Sequence, residues 1–366
     1  MSNISTLPYR KIVWVNIVFF AVTTLLGLIA APIYLYHNGI SVSEAVLMAV
    51  FMITTPLAIT MGYHRLFAHM SYKAHPILQF LYLFFGAAAF EQSAYKWASQ
   101  HRIHHRYADT DRDPYSIQKG FFHAHIGWLI FWRQPADYSN VRDLERNRMI
   151  MHQHTYFKFW AVGAGIVLPM LIGFMTGHTL GALLLAVCLR LTLVYHFTFC
   201  INSVCHMFGK ATYDIYSSAR DHWFAAVLTF GEGYHNYHHH FPADYRNGVR
   251  WFHWDPTKWL IASLAWVGLA YDLKKISRYK ILAARLRAQH QHAEDGLKMH
   301  SDTRLEVFRQ TLKVQYEKLK KTLADWEQNA KSPVSKFREA RDRFQASRKE
   351  WELLYSQALR FMAARA

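Results

Sequence analysis

Cysteine is scarce in this chain of 366 residues: only Cys188, Cys200 and Cys205 occur, in or beside one apolar stretch and without CxxC spacing. That excludes a disulfide framework or a zinc ribbon as the basis of the fold. Acidic charge is also scarce, with 25 Asp plus Glu against 42 Lys plus Arg. An excess of this kind can serve nucleic acid, but membrane topology accounts for it here, so no nucleic-acid partner is expected. The first apolar run is longer than a signal-peptide core and lacks a small-residue cleavage signal, so it is read as retained.

What the chain has in abundance is apolar sequence, 52% hydrophobic and 16% aromatic. A helix needs roughly 20 mostly apolar residues to cross a bilayer. Four runs qualify, at about 13–34, 45–63, 159–176 and 180–201. The loops His37–Glu44 and Thr176–Thr179 carry no Lys or Arg, whereas the loop from His64 to Lys158 is rich in Arg. The positive-inside rule therefore puts both termini and the long loop in the cytoplasm. Two shorter apolar stretches, Pro76–Phe90 and Lys258–Tyr271, are expected to lie at or in the membrane surface. Beyond about Lys274 apolar residues recur at helical spacing among charges, and Ser332-Pro333 breaks the pattern, which predicts two long amphipathic helices able to pack on each other or on a second subunit. The expected fold is all-α: a four-transmembrane-helix bundle with a cytoplasmic helical cap over residues 1–275, and a charged helical or coiled-coil extension over 276–366.

Histidine is the main anomaly, with 23 residues. They cluster as His64-Arg-Leu-Phe-Ala-His69, His101-Arg-Ile-His104-His105 and His235-Asn-Tyr-His238-His239. Positions i, i+3 and i+4 share a helix face, so each of the last two clusters is expected to present three imidazoles to one point. All three clusters fall beyond span ends on the same side. Neutral imidazole suits iron, copper, nickel and zinc, and one structural zinc would need only four ligands, so two metals are the simpler inference. Isolated histidines such as His123, His152 and His253 are read as ordinary core or surface residues.

The ordered set H-x4-H, H-x2-H-H and Gly231-Glu-Gly-Tyr-His-Asn-Tyr-His-His239, followed by Phe241-Pro-Ala-Asp-Tyr-Arg-Asn-Gly248 and Trp254-Asp-Pro-Thr-Lys-Trp259, resembles the stearoyl-CoA desaturase family of membrane acyl-CoA desaturases. The resemblance runs from about residue 10 to about residue 275 and includes Asn202-Ser-Val-Cys-His206. It implies nine histidine ligands, His64, His69, His101, His104, His105, His206, His235, His238 and His239, with Asn202 reaching the metal through water. It further implies two irons, for which zinc would be an inert replacement, and O2 as co-substrate. The reaction would remove two hydrogens from a saturated acyl chain held in a kinked tunnel and leave a cis double bond, preferably delta-9. Trp97 and Thr198 are the tunnel residues carried over, with Phe199 where the family has tryptophan.

Second-shell carboxylates usually orient ligating histidines; Asp109, Asp113, Asp221 and Glu232 are the candidates by position. The family's CoA-binding Arg-Asp and Arg-Lys pairs are replaced here by Ser99-Gln100 and Trp132-Arg133. The substrate is then CoA-, lipid- or carrier-linked, with Arg133 as the headgroup candidate. The His-Pro-Gly-Gly signature of a fused haem domain is missing, so electrons are expected from a separate ferredoxin, cytochrome or flavin reductase. These departures lean toward a bacterial inner membrane over endoplasmic reticulum. Arg190, inside the fourth span, is a costly intramembrane charge. The alternatives are a related di-iron hydroxylase or acetylenase and, outside enzymes, a histidine-rich membrane protein for haem or metal transport.

Overall fold

The computed structural model describes residues 12–131, 137–298 and 303–364, which are overwhelmingly helical. They form two compact units, one reaching to Gly209 and including Ser218–Lys275, the other combining Lys210–Ser217 with Ile276 onward.

In the first unit four helices are long and apolar enough to cross a membrane: Trp14–Asn38, Val42–Ala68, Phe157–Met175 and Thr179–His206. The second and fourth run past the ends expected at 63 and 201, because helical hydrogen bonding continues after the apolar composition stops. Those extensions carry His64 and His206. Trp14, Val15, Phe159 and Phe174 are exposed although apolar, as lipid-facing side chains must be. Inside the bundle a Cβ on Gly27 would meet Leu189 Cα at 2.9 Å, so hydrogen alone lets the first and fourth spans touch. Between the first two spans Ser41 caps the second: its Oγ accepts from the Glu44 amide and Glu44 Oε2 accepts from the Ser41 amide.

The stretch expected at the membrane surface is a helix over Pro76–Ala87, only 12 residues long and so too short to span. It packs against the end of the second span. A second such helix covers Pro256–Trp266, after which Ala270–Tyr271 pairs antiparallel with Lys73–Ala74. This pairing ties the chain just after the first histidine cluster to the chain well after the last.

The second unit corrects the expectation of two long helices: there are three, Arg278–Lys298, Thr303–Gln328 and Val334–Ala363. The first was hidden because Ala284, Ala288 and Ala293 occupy many of its buried positions, and alanine gives a weak periodic signal. Each helix contributes a column spaced by seven: Tyr279, Leu286 and Ala293; Leu305, Leu312 and Leu319; Phe344, Trp351 and Ala358. That repeat keeps one seam facing its neighbours. Trp351 is wholly buried and donates its indole N–H to Gln289 Oε1 at 3.0 Å.

Candidate metal centre

Nine imidazoles converge in the first unit, in two groups. His64, His69, His101, His105 and His238 form one, and His104, His206, His235 and His239 the other; within each, the ligand atoms lie within 4.8 Å of one another. His64 and His69 are five apart, which on an α-helix would set them about 140° apart around the axis at 3.6 residues per turn. The segment Ala58–Ala68 is wound as a π-helix instead, and the His69 amide donates to the His64 carbonyl at 3.0 Å. This wider winding brings the two rings to a centroid distance of 4.8 Å.

The other clusters depart from the expectation of one convergence point each. His101 and His105, four apart on the helix Ala94–Tyr107, join the first group, while His104 turns to the second. On the short helix His235–His240 the division is reversed: His235 and His239 join the second group and His238 the first. Residues i and i+4 differ by about 40° around a helix, but i+3 and i+4 differ by about 100°. One triplet therefore feeds two points.

The Nε2 atoms face each other across each group. His64 and His238 are 2.9 Å apart, His105 and His238 3.0 Å, and His69 and His101 2.8 Å. In the second group His104 and His239 are 3.2 Å apart, His235 and His239 3.0 Å, and His206 and His235 3.0 Å. Bonds of about 2.1 Å at right angles to one cation would hold ligand nitrogens about 3.0 Å apart. Burial, and then the neighbouring rings, drives His69, His101, His105, His238 and His239 well below the ordinary imidazole pKa, and His235 down to about 3. Those six rings are thus held neutral, with nitrogens converging in an arrangement that repels itself without a cation in its midst. The donor set fits two metal ions, and five nitrogens in one group exceed the four of a structural zinc site.

Three of the outward Nδ1 atoms are held in turn. His104 Nδ1 donates to Asp113 Oδ1 at 2.9 Å, and His64 Nδ1 lies 2.8 Å from Glu232 Oε2. His206 Nδ1 meets Ser218 Oγ at 2.6 Å, and the Ser218 amide donates to Asp109 Oδ2 at 2.8 Å, so Asp109 stands one step behind a ring. Asp221 Oδ1 accepts from the Tyr237 amide at 3.0 Å, steadying the helix of the last cluster. Burial alone would raise the Glu232 carboxyl, but His64 and Arg65 reverse this and hold it down at about 2.

Three residues beside the histidines, Arg65, Asp255 and Arg102, join the site through partners remote in the chain. Arg65 is buried and donates to Glu232 Oε1 at 2.9 Å and to Asp255 Oδ1 at 3.0 Å. Arg102 donates to the Phe67 and Ala68 carbonyls, both at 2.8 Å, satisfying the last turn of the second span and fixing the middle cluster against it. The only signal available was position: each adjoins a cluster or sits in the Trp254–Trp259 motif. His123, His152 and His253 stay outside both groups.

A cavity of about 180 Å³, measured to water-molecule centres, ends on both groups. Phe19, Phe20, Met52, Ile59, Val194 and Phe199 supply apolar walls, and His64, His101, His104, His235 and Asn202 its polar end. Trp97 and Thr198 line it too, with Trp97 stacked on His101 at 4.8 Å. Gln100 reaches the cavity, while Ser99 Oγ donates to the Asp137 carbonyl. Arg133 lies outside the described residues.

Fold and site together define a helical membrane protein with two histidine groups that could hold metal at the end of an apolar cavity. The family model "Fatty acid desaturase" matches residues 41–274, and the chain belongs to this family. It is 42% identical over 251 residues to "Probable acyl-CoA desaturase" of Schizosaccharomyces pombe, covering 68% of this chain and 52% of that protein. With "Acyl-CoA desaturase 1" of Saccharomyces cerevisiae the identity is 42% over 236 residues, covering 64% and 46%. With human "Stearoyl-CoA desaturase" it is 34% over 287 residues, covering 75% and 78%. The chain thus spans about half the length of the two yeast relatives and most of the human one.

Proposed function

We propose that this chain is a membrane fatty-acyl desaturase that introduces a cis double bond, at delta-9, into a saturated acyl chain. The observation that carries this reading is the apolar cavity ending on histidines of both groups, His64 and His101 from one and His104 and His235 from the other. Iron is the metal the chemistry requires: bound in these groups it supplies reductive activation of O2 and removal of hydrogen from an unactivated methylene, which side-chain acids and bases do not perform. The nine histidines would hold it, with Asn202 reaching it through water.

The chain's own share is positional. The phenyl and aliphatic walls take up an acyl chain and exclude water, and their shape sets which methylene lies near the polar end. Asp113 and Glu232 fix ring orientation through Nδ1, leaving Nε2 for metal. The relatives' names favour a CoA-linked chain, and Arg133 is kept as the headgroup residue. The two electrons come from a separate donor, a ferredoxin, cytochrome or flavin reductase. Catalysis belongs to residues 1–275, with both termini on the cytoplasmic side; the altered headgroup residues favour a bacterial inner membrane.

The test is expression in a host unable to make unsaturated fatty acids, followed by mass-spectrometric location of any new alkene. A delta-9 alkene that disappears when iron is withheld supports the reading. A product with added oxygen would select a hydroxylase, and no change in the lipids would reject both.

A further inference from the structure

Arg190 is wholly buried in the fourth span, and among the described residues no carboxylate pairs with it. A guanidinium remains charged in proteins, and a charge without water at this depth is strongly unfavourable unless polar groups replace the solvent. Three carbonyls replace its water. Nε donates to Ala186 O at 2.8 Å, Nη1 to Ala88 O at 2.6 Å and Nη2 to Gly165 O at 3.0 Å. Ala88 is the C-cap of the helix Pro76–Ala87, and Ala186 and Gly165 lie in π-wound segments of two spans. Ala88 lies where a helix end leaves its last carbonyls without intrahelical partners. The Phe51 ring lies 5.7 Å from the guanidinium carbon.

The segment after Ala88 is the cavity wall. Phe90, Glu91 and Gln92 all line the cavity, and both Phe90 and Gln92 hold positive φ, +57° and +80°. Non-glycine residues in that region are strained and persist only where the surroundings hold them. Two features hold them here: Arg190 on the Ala88 carbonyl, and Gly165, where a Cβ would stand 2.6 Å from Phe90 Cε2 and 3.1 Å from Ala88 O.

We propose that Arg190 is a positioning residue for the acyl cavity, a clamp on the carbonyls of Ala88, Gly165 and Ala186 that holds the strained Phe90–Gln92 wall in place and so helps set which methylene is presented to the metal groups. The proposal rests on the desaturase reading, and its experiment separates the two. Purified wild type, Arg190→Gln and Gly165→Ala are compared by metal content, by hydrogen exchange over the Ala88–Gln92 segment and by alkene position in the product. The exchange reports on the Ala89 and Phe90 amides, which donate to Gly86 O at 3.1 Å and Ala87 O at 3.0 Å. The expected result is unchanged metal content, exchange of these amides faster by about tenfold, and a second alkene isomer rising to about a tenth of product or more. Unchanged exchange, or faster exchange with the alkene position unmoved, overturns the proposal. If Arg190→Gln does not fold, Arg190→Lys decides in its place by the same exchange and alkene readouts, since an ammonium keeps the charge but does not reproduce the guanidinium fork onto three carbonyls, while Gly165→Ala checks the Phe90 wall with the guanidinium intact. If wild type makes no alkene, the desaturase reading fails, and the exchange arm still accepts or rejects the clamp.

Discussion

The two units bury polar groups in opposite ways. In the first, nine histidines, Arg65, Glu232 and Asp255 are packed into one network, and Arg190 is sunk among carbonyls. In the second, the seams are leucine, alanine and aromatic residues, and charges stay outside in exposed pairs such as Lys318 with Glu350 and Arg343 with Asp325. Exposed pairs contribute little once water screens them, so the second unit stands on apolar packing. The first pays for its buried polarity with stability and gains a site. Chemistry should therefore fail when polar groups are removed from the first unit, and only folding should fail when the second is damaged.

The sharpest way to break that contrast is His105→Ala or His239→Ala. Each removes an Nε2 from one group, and the expected outcome is loss of turnover by more than about 100-fold with loss of metal by elemental analysis; a variant with full metal and full rate would end the idea of a shared cage. In the second unit, Trp351→Ala should weaken the three-helix packing by about 3–5 kcal/mol, read as early melting of that helical signal. Turnover by the first unit should stay within about twofold, consistent with the low coupling expected of separate units; a large loss would assign the helices a part in catalysis.

Glu232→Gln keeps shape but loses the charge that holds His64 and Arg65. Metal affinity should fall by about 10–100-fold with the fold intact, as measured by chelator competition. The smallest effect is expected at Glu91. Burial raises its carboxyl to about 7, against the opposing bonds from Trp97 and Thr198, and Trp97 Nε1 donates to Glu91 Oε2 at 3.2 Å. Because burial raises this pKa above the ordinary carboxyl value, the cavity wall is uncharged below about pH 7 and gains a charge above it. KM for an acyl chain should rise by a few-fold across that range, while Glu91→Gln should give a flat profile. A wild-type KM that is flat from pH 6 to 8, on the scale of about two units, would remove Glu91 from this role.

Some of this was readable in one dimension. Apolar runs longer than a bilayer can only be helices, so the four spans followed from composition. The nine histidines could be picked out as a set through repeated spacing and family resemblance. How they divide was hidden, since the sequence shows a triplet on one face whereas the fold separates neighbours about 100° apart into two groups. The partnership of His64 with His69 depends on π winding, which no residue type encodes locally. Likewise Arg65, Arg102 and Asp255 matter through partners far away in sequence, and Arg190 is anomalous in the sequence alone because two of its three carbonyl partners, Ala88 and Gly165, belong to other helical segments.

By itself, then, the sequence determined the membrane spans, the set of clustered histidines and the amphipathic character of the last two terminal helices, because each follows from residue type and local period. Only the tertiary structure decided which imidazoles share a metal, which carboxylates steady them and how the cavity wall is held. Those depend on distances between segments that are remote along the chain, and local pattern carries no information about such distances.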